Sequence, residues 1–508
     1  MKYIYGLAIL CCLVLWSSCR NDFETVASSG NLEFSKDTVY LDTIFTNIGS
    51  STYNLKVYNN SKDDIHIPSL GLAQGESSHY RLNVDGVPGK VFKDVQILAK
   101  DSIFIFVETT FDISNPPVAS NEFLYTDQIV FDSGSKEQKV ELVTLVKDAV
   151  FLYPERFEDG TTETLTLGSG EDTIEIPGFF LDDNELTFTN EKPYVIYGFA
   201  AVKRNKTLTV EAGARVHFHY NSGIMVAGSI KVMGEESMDR DAMENEVIFQ
   251  GDRLEPFFKD VPGQWAYIRL TDGSTGNEFH HTTIKNAQIG LVVENSPVTF
   301  KDVEIYNNSN IGLLSRTGTI YGENMVINNS GQASLLIQLG GSYEFNHCTF
   351  VNYSKTGFRN FPSVMISNAL EVEDGNLIAD LNKADFTNCI IYGSERFEFS
   401  LGKIEGAQFN FNFKNSLLRF EDTRGEFTNN PLYDFLNPVR YTDIVLNAQP
   451  YFQNTDLNNF NIEKETSGAE NIGIYLTNPP SILKDLNGVN RSNPPDAGAY
   501  ESSVFPED

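Results

Sequence analysis

The chain is short of several residue types, and each shortage closes off a class of protein. Five of its 508 residues are cysteine, and Cys11, Cys12 and Cys19 fall within the first nineteen. Cys348 and Cys389 remain for a folded part, too few for a disulfide framework or a cysteine-based metal cluster. Two buried thiols are the simpler reading, and pairing in an oxidising compartment is the other. Basic residues are scarce as well: 38 Lys and Arg stand against 69 Asp and Glu, a net charge of −31. Nucleic acids and anionic lipid surfaces demand cations, so neither is an expected partner. Beyond the first twenty residues no apolar run is long enough to cross a membrane, and no amphipathic helical pattern occurs. What remains is a long chain, 41% apolar, that must build its core from strands.

The first residues, MKYIYGLAILCCLVLWSSCR, join a basic Lys2 to an apolar run from Tyr3 to Trp16 and then to small residues. This is the pattern of a secretory signal over 1–18. The ending LWSSC resembles a bacterial lipobox, with Trp16 where leucine is usual. The resemblance implies a lipidated Cys19 followed by a tether over 19–30. Each buried methylene of such an anchor contributes about 0.8 kcal/mol. The following RNDFE resembles the surface-export signal of Bacteroidetes lipoproteins. The expected location is therefore the outer membrane, lipid-anchored and facing the cell surface. Loss of 1–18 removes Lys2 and no acid, taking the charge from −31 to −32.

Residues 31–150 read as short strands. LKVYNNSKDDIHI sets a polar turn between alternating runs, and DSIFIFVETTFD and QKVELVTLVKDAV are β-branched and aromatic. Strands of this length and spacing predict an immunoglobulin-like β-sandwich. Residues 151–190, rich in Gly, Thr and acids, read as a linker with one hairpin.

From residue 191 to 505 the pattern is repetitive. TTIKNAQIGLVVENSPVTFKD, VEIYNNSNIGLLSRTGTIYGE and NMVINNSGQASLLIQLGGSYEF are 21, 21 and 22 residues long. They align Ile284, Ile305 and Val326, and likewise Asn286, Asn307 and Asn328; CTFVNYS adds Phe350 and Asn352. A period near 21 with β-branched residues marks a solenoid of stacked coils. The aliphatic positions are expected to point inward, each contributing roughly 1.5–3 kcal/mol, and the asparagines to sit at turns. A leucine-rich repeat lacks its phrase here, and 21 is no multiple of six, as a hexapeptide β-helix requires.

The repeat resembles the right-handed parallel β-helix of the pectate-lyase-like superfamily. KTLTVEAGARVHFHYNSGIMVAGSIKVMG is similar to the opening coils of such proteins, and NGVNRSNPPDAGAYE to their closing phrase. LEFSKDTVYLDTIFT, RLNVDG, KPYVIYG and PGQW together resemble a family of Bacteroidetes lipoproteins of unknown function. The resemblance implies an all-β chain, an immunoglobulin-like β-sandwich followed by a right-handed parallel β-helix solenoid. It implies no activity.

Enzymes of that superfamily work on an outer face of the coils. Polysaccharide lyases there need a base and carboxylates, and glycosidases a carboxylate pair or trio. The polygalacturonase phrases do not occur together, Asp63-Asp64 and Asp182-Asp183 lie outside the coils, and no Asp recurs every 21 residues. The expectation is a non-catalytic scaffold that binds a polysaccharide or an envelope protein. The alternative is a polysaccharide lyase or glycoside hydrolase. The candidate binding groove is GDRLEPFFKDVPGQWAYIRLTDGS. Strand alternation there turns Trp265, Tyr267 and Arg269 outward, and the preceding loop brings Asp252, Arg253, Phe257, Phe258 and Asp260. Packing of the loop over the strand is the competing explanation. His217 and His219 in RVHFHY share an outward face, but no third ligand accompanies them, and His280-His281 point to opposite faces. No cofactor or metal centre is expected. In FNFNFK, Phe409, Phe411 and Phe413 are core positions. Asp485, Arg491, Asp496 and Glu501 in the closing phrase read as a structural cap, with Arg491 paired to a carboxylate.

Overall fold

The computed structural model describes residues 24–113, 121–132, 134–168, 173–354, 359–373 and 375–506. The leader and Cys19 lie outside the described residues. The chain is all-β: among the described residues every helical segment is a short 3-10 turn. It divides into two compact units between Asp148 and Ala149.

The first unit holds a six-stranded and a five-stranded sheet over one shared core. Alternation decides which side chains enter it. In Ser102–Thr109, Ile103, Ile105 and Val107 are buried while Phe104 and Phe106 are exposed. The longest pairing, Glu122–Phe131 against Gln138–Lys147, is antiparallel.

The second unit is built on large parallel sheets of eighteen and ten strands, an arrangement compatible with a β-helix. Its strands stack rung upon rung. Val150, Tyr194, Val216, Phe249, Ile284, Ile305, Ile327, Phe350, Ile391, Leu418 and Leu446 are successive partners along one ladder. Phe249, Ile284, Ile305, Ile327 and Phe350 are fully buried in one core. Rungs of this kind are about 4.8 Å apart.

Three expectations need correction. Ile305 pairs with Ile327, twenty-two residues on, and Val326 stands opposite Glu304 on the other face of the strand. The cause is one additional turn residue: Asn286 to Ile289 is answered by Asn307 to Ile311, and Ile289 pairs with Ile311. The asparagine ladder is accordingly Asn286, Asn307 and Asn329, all in the left-handed region with φ of 68°, 56° and 51°. Asn329 Nδ2 donates to Asn307 Oδ1 at 2.8 Å. Asparagine suits this place because its amide replaces backbone hydrogen bonds there.

The segment 151–190 is not a linker. Val150–Leu152 pairs with Tyr194–Ile196, Ile174–Phe180 with Phe199–Val202, and Thr187–Phe188 with Thr207–Glu211. Four of its apolar residues, Leu152, Phe179, Leu181 and Phe188, enter the core of the second unit.

The closing phrase covers a flank rather than an end. Ala497, Ala499 and Tyr500 of the phrase, with Phe460 and Ile462 of the preceding strand Asn459–Ile462, pack on Tyr306, Val326, Val351, Ile390, Tyr392 and Leu417, the outward residues of successive strands. Arg491 pairs with Glu501 at 3.1 Å and donates to Asn324 at 2.7 Å. Asp485 and Asp496 accept from the backbone N–H groups of Val489, Glu501, Asn471 and Ser502. The last strands of the ladder meet an aromatic layer instead, with Tyr433 and Tyr441 buried and Phe427 and Phe435 packed against the core.

Candidate functional site

The residues expected to form a groove around Trp265 are scattered. Trp265 is fully buried, its ring stacked on Phe218 at 4.2 Å and its Nε1 donating to the Lys285 carbonyl at 2.8 Å. The alternation argument fails because the regular strand begins only at Ile268; Trp265 lies at the preceding corner, where it forms a lone bridge to Ala287. Tyr267 is half-buried, 5.3 Å from the Phe199 ring. Arg269 is engaged by Glu294 at 2.6 Å, which also faces Arg316 at 3.5 Å. Arg253 pairs with Glu255 at 2.8 Å and lies over Phe258 at 3.9 Å. Asp252 bonds His219 at 2.8 Å, and Phe257 is 79% exposed. These residues do not converge.

The paired histidines separate too. His217 is buried with Nδ1 3.0 Å from the Gly251 carbonyl, while His219 stacks on Tyr197. Among the described residues no group of three or more His, Cys, Asp or Glu side chains is arranged to hold a metal ion. Cys348 and Cys389 are free, buried thiols.

A different group of side chains does converge, on the outer face of the same ladder. Because Ile284 and Ile305 point inward, their flanking residues point outward. One outer column runs Arg215, Ile248, Thr283, Glu304 and Val326; its neighbour runs Lys285, Tyr306 and Asn328. Glu246, just before the strand Val247–Gly251, joins them. Arg215 positions it by donating to the backbone carbonyls of Gly213, Ala214, Ala242, Met243 and Glu246. Its fork of donors suits several carbonyls at once.

The electrostatics of this face are uneven. Burial pushes the Glu246 carboxyl up to about 7, and the charge of Glu304 beside it acts in the same direction, against Arg215 and Arg240. Burial also raises Glu304, opposed by hydrogen bonds from the Tyr306 hydroxyl and from the Tyr500 hydroxyl at 3.1 Å. Burial lowers Lys285, opposed by Asp260. Neither the Lys285 amine nor the Glu246 carboxylate has a hydrogen bond or ion pair among the described residues, and the Thr283 hydroxyl is buried without a partner.

The column leads onward to a cavity of about 90 Å³ lined by Asp260, Asn307, Asn328, Tyr353, Asp456 and Asn458, among others. Asn307 donates to Asp260 at 3.2 Å and Asn328 to Asn458 at 2.8 Å. Of the residues expected at the site, Asp260 alone belongs here. Amides, carboxylates and one phenol offer both donors and acceptors, the pattern that sugar hydroxyls satisfy. The sequence carried a signal for this face: Lys285, Tyr306 and Asn328 are the variable middle residues of Ile-x-Asn in three successive repeats.

No protein-family model matches the chain, and no curated protein does. Among solved structures, a family 123 glycoside hydrolase from Clostridium perfringens is similar at 10% identity over 23% of this chain and 26% of its own, with a TM-score of 0.16. This chain thus spans about a quarter of that enzyme's length. The periplasmic chaperone SfaE is similar at 14% identity over 29% of this chain and 82% of its own, with a TM-score of 0.15. Likenesses at these TM-scores carry no argument about fold or activity.

Proposed function

We propose that this chain is a lipid-anchored outer-membrane protein of the cell surface, with Cys19 as the anchored residue, that binds glycan on an outer face of its second unit. In this reading the first unit is an immunoglobulin-like sandwich and the second a right-handed parallel β-helix. The observation that carries the glycan reading is the column Lys285–Tyr306–Asn328, which joins an unpaired amine to a cavity walled by Asp260, Asn307, Asn458 and Tyr353. Amides held by hydrogen bonds on a rigid strand face, with carboxylates at the cavity's edge, bind a polyhydroxylated ligand with little ordering cost.

The test is a glycan array probed with residues 19–508. Binding to a defined glycan class, lost in Asn328→Ala, supports the reading. An array with no ligand, together with capture of a defined envelope protein through this face, contradicts it. Anchoring is tested separately, by mass spectrometry of the N-terminal peptide for acyl chains on Cys19.

A further inference from the structure

The ladders of the second unit do not end together. The ladder through Phe386 and the ladder through Ile391 each continue for two further strands, Asn412–Lys414 then Tyr441–Thr442, and Leu417–Leu418 then Val445–Leu446. The ten-stranded sheet stops one coil sooner, at Phe399–Gly402, which among the described residues pairs with Val364–Ser367 alone. Between Leu418 and Tyr441 the chain returns no strand to this edge. It forms a lone antiparallel bridge from Phe420 to Phe397, a turn in which Asp422 accepts from the N–H groups of Glu426 and Phe427, and a 3-10 turn at Pro431–Tyr433. The Val364 N–H donates to the Glu398 carbonyl at 3.0 Å, so alternation turns the backbone groups of Phe399 and Leu401 the other way, toward the missing strand. There the Leu401 N–H is met by a side chain, the Tyr433 hydroxyl at 2.9 Å. A cleft of about 450 Å³ opens along this edge, walled by Phe361, Phe397, Phe427 and Tyr433. Glu395 also lines it, and among the described residues it bonds through its backbone: its N–H donates to Glu398 at 2.8 Å and its carbonyl accepts from Arg419 at 2.7 Å. Arg396 donates to Thr423 Oγ1 at 2.7 Å and lies 5.4 Å from the Phe397 ring.

We propose that this cleft binds an extended peptide of a partner protein, which adds to the edge of Phe399–Gly402 as an eleventh strand of the sheet, sets an apolar side chain among Phe397, Phe427 and Tyr433, and places a lysine or arginine against Glu395. An open sheet edge is completed by main-chain pairing, and pockets for alternate side chains supply selectivity. The entering strand brings the carbonyl that the Leu401 N–H lacks, and displaces the phenol that holds its place. The unpaired Glu395 carboxylate, on a chain of net charge −31, selects a basic segment over an acidic one. A sugar would stack on the aromatic walls but would leave the alternating backbone of the edge unread. None of the residues lining the cleft belongs to the face that carries Lys285 and Asn328, so the peptide site and the glycan site stand or fall separately.

The experiment pans residues 19–508 against a displayed library of random short peptides and measures each selected peptide, fluorescently labelled, by anisotropy. The expected peptides have apolar residues at alternate positions and carry Lys or Arg. Affinity should fall roughly 10-fold in Phe361→Ala, whose ring is 43% exposed, so that the melting temperature holds. It should fall roughly 2- to 5-fold in Glu395→Gln. Methylating every second backbone nitrogen of the peptide should abolish binding in one phase and spare it in the other, because one set of N–H groups faces the edge. Tyr433→Phe, which frees the Leu401 N–H, should bind the peptide more tightly, and amide exchange at Phe399 and Leu401 should slow when it binds. A library that yields no peptide dependent on Phe361 overturns the proposal. Affinity indifferent to both methylation patterns overturns the strand pairing, and equal or weaker binding by Tyr433→Phe overturns the displacement. A glycan bound in this cleft, or self-association of the chain, lost in Phe361→Ala, gives the cleft another occupant and overturns the peptide assignment.

Discussion

The indole Nε1 of Trp265 donates to the backbone carbonyl of Lys285 at 2.8 Å, from beneath the strand whose outer face carries the Lys285 amine. The tryptophan is thus a pillar under the site rather than a wall of it. Trp265→Ala removes a fully buried ring stacked on Phe218 and leaves a cavity. The expected loss is about 3–5 kcal/mol, read as a lower denaturation midpoint. Trp265→Phe keeps most of the packing but not the donor, and should fall between that variant and wild type.

The ladder predicts a contrast at adjacent residues. Ile327→Ala opens a cavity in the main core and should cost about 2–5 kcal/mol. Val326→Ala, on the opposite face beneath the closing phrase, should instead loosen that phrase. Limited proteolysis should cut within 452–503 sooner in Val326→Ala than in Ile327→Ala, relative to each variant's own stability.

Much of this was legible in the chain itself. The Ile-x-Asn phrase marked both the inward residue and the turn that follows, because only a repeated backbone path gives a β-branched residue and a left-handed asparagine the same spacing each time. The one-residue error at Val326 arose because VINNSG aligns with IYNNSN in two registers, and the lengthened turn before Ile311 that decides between them has no composition signature. Trp265 was assigned outward by extending strand parity across a corner, where parity does not hold. Glu246 was invisible for another reason: it lies in a loop, and only the carbonyl contacts of Arg215 bring it to the ladder.

The closing phrase depends on a buried ion pair. Arg491→Met leaves Glu501 buried without its partner and strips Asn324 of a donor; a loss of about 3–5 kcal/mol is expected. Hydrogen exchange should show the change spreading along the strands that the phrase covers, 304–306, 349–351 and 390–392. Protection confined to the phrase itself would count against the flank-covering role.

The raised Glu246 carboxyl gives stability a pH dependence of definite sign. The folded chain holds this proton up to about 7, from an ordinary value of 4.5, while the unfolded chain releases it earlier. The native state therefore binds more protons in that window, and stability falls as pH rises through it. Asp302, raised to about 6 mainly by burial, adds to the same slope. Urea midpoints measured from pH 4 to 8 should decline less steeply in Glu246→Gln than in wild type. Parallel curves for the two proteins would contradict the raised value.

The account turns on Lys285 and Asn328 facing one glycan from a single strand column. Its most direct measurement is calorimetric titration of a glycan identified on the array into wild type, Lys285→Gln, Asn328→Ala and the double variant. Loss of a hydrogen bond to the charged amine predicts roughly 10- to 100-fold weaker binding for Lys285→Gln. Asn328→Ala should lose less, and the double variant should bind more weakly than either; the melting temperature should change little in Lys285→Gln and fall in Asn328→Ala, which loses the bonds of Asn328 to Asn458 and to the Tyr353 N–H. Affinities equal to wild type in both single variants, with folding intact, would place the ligand elsewhere and contradict the account.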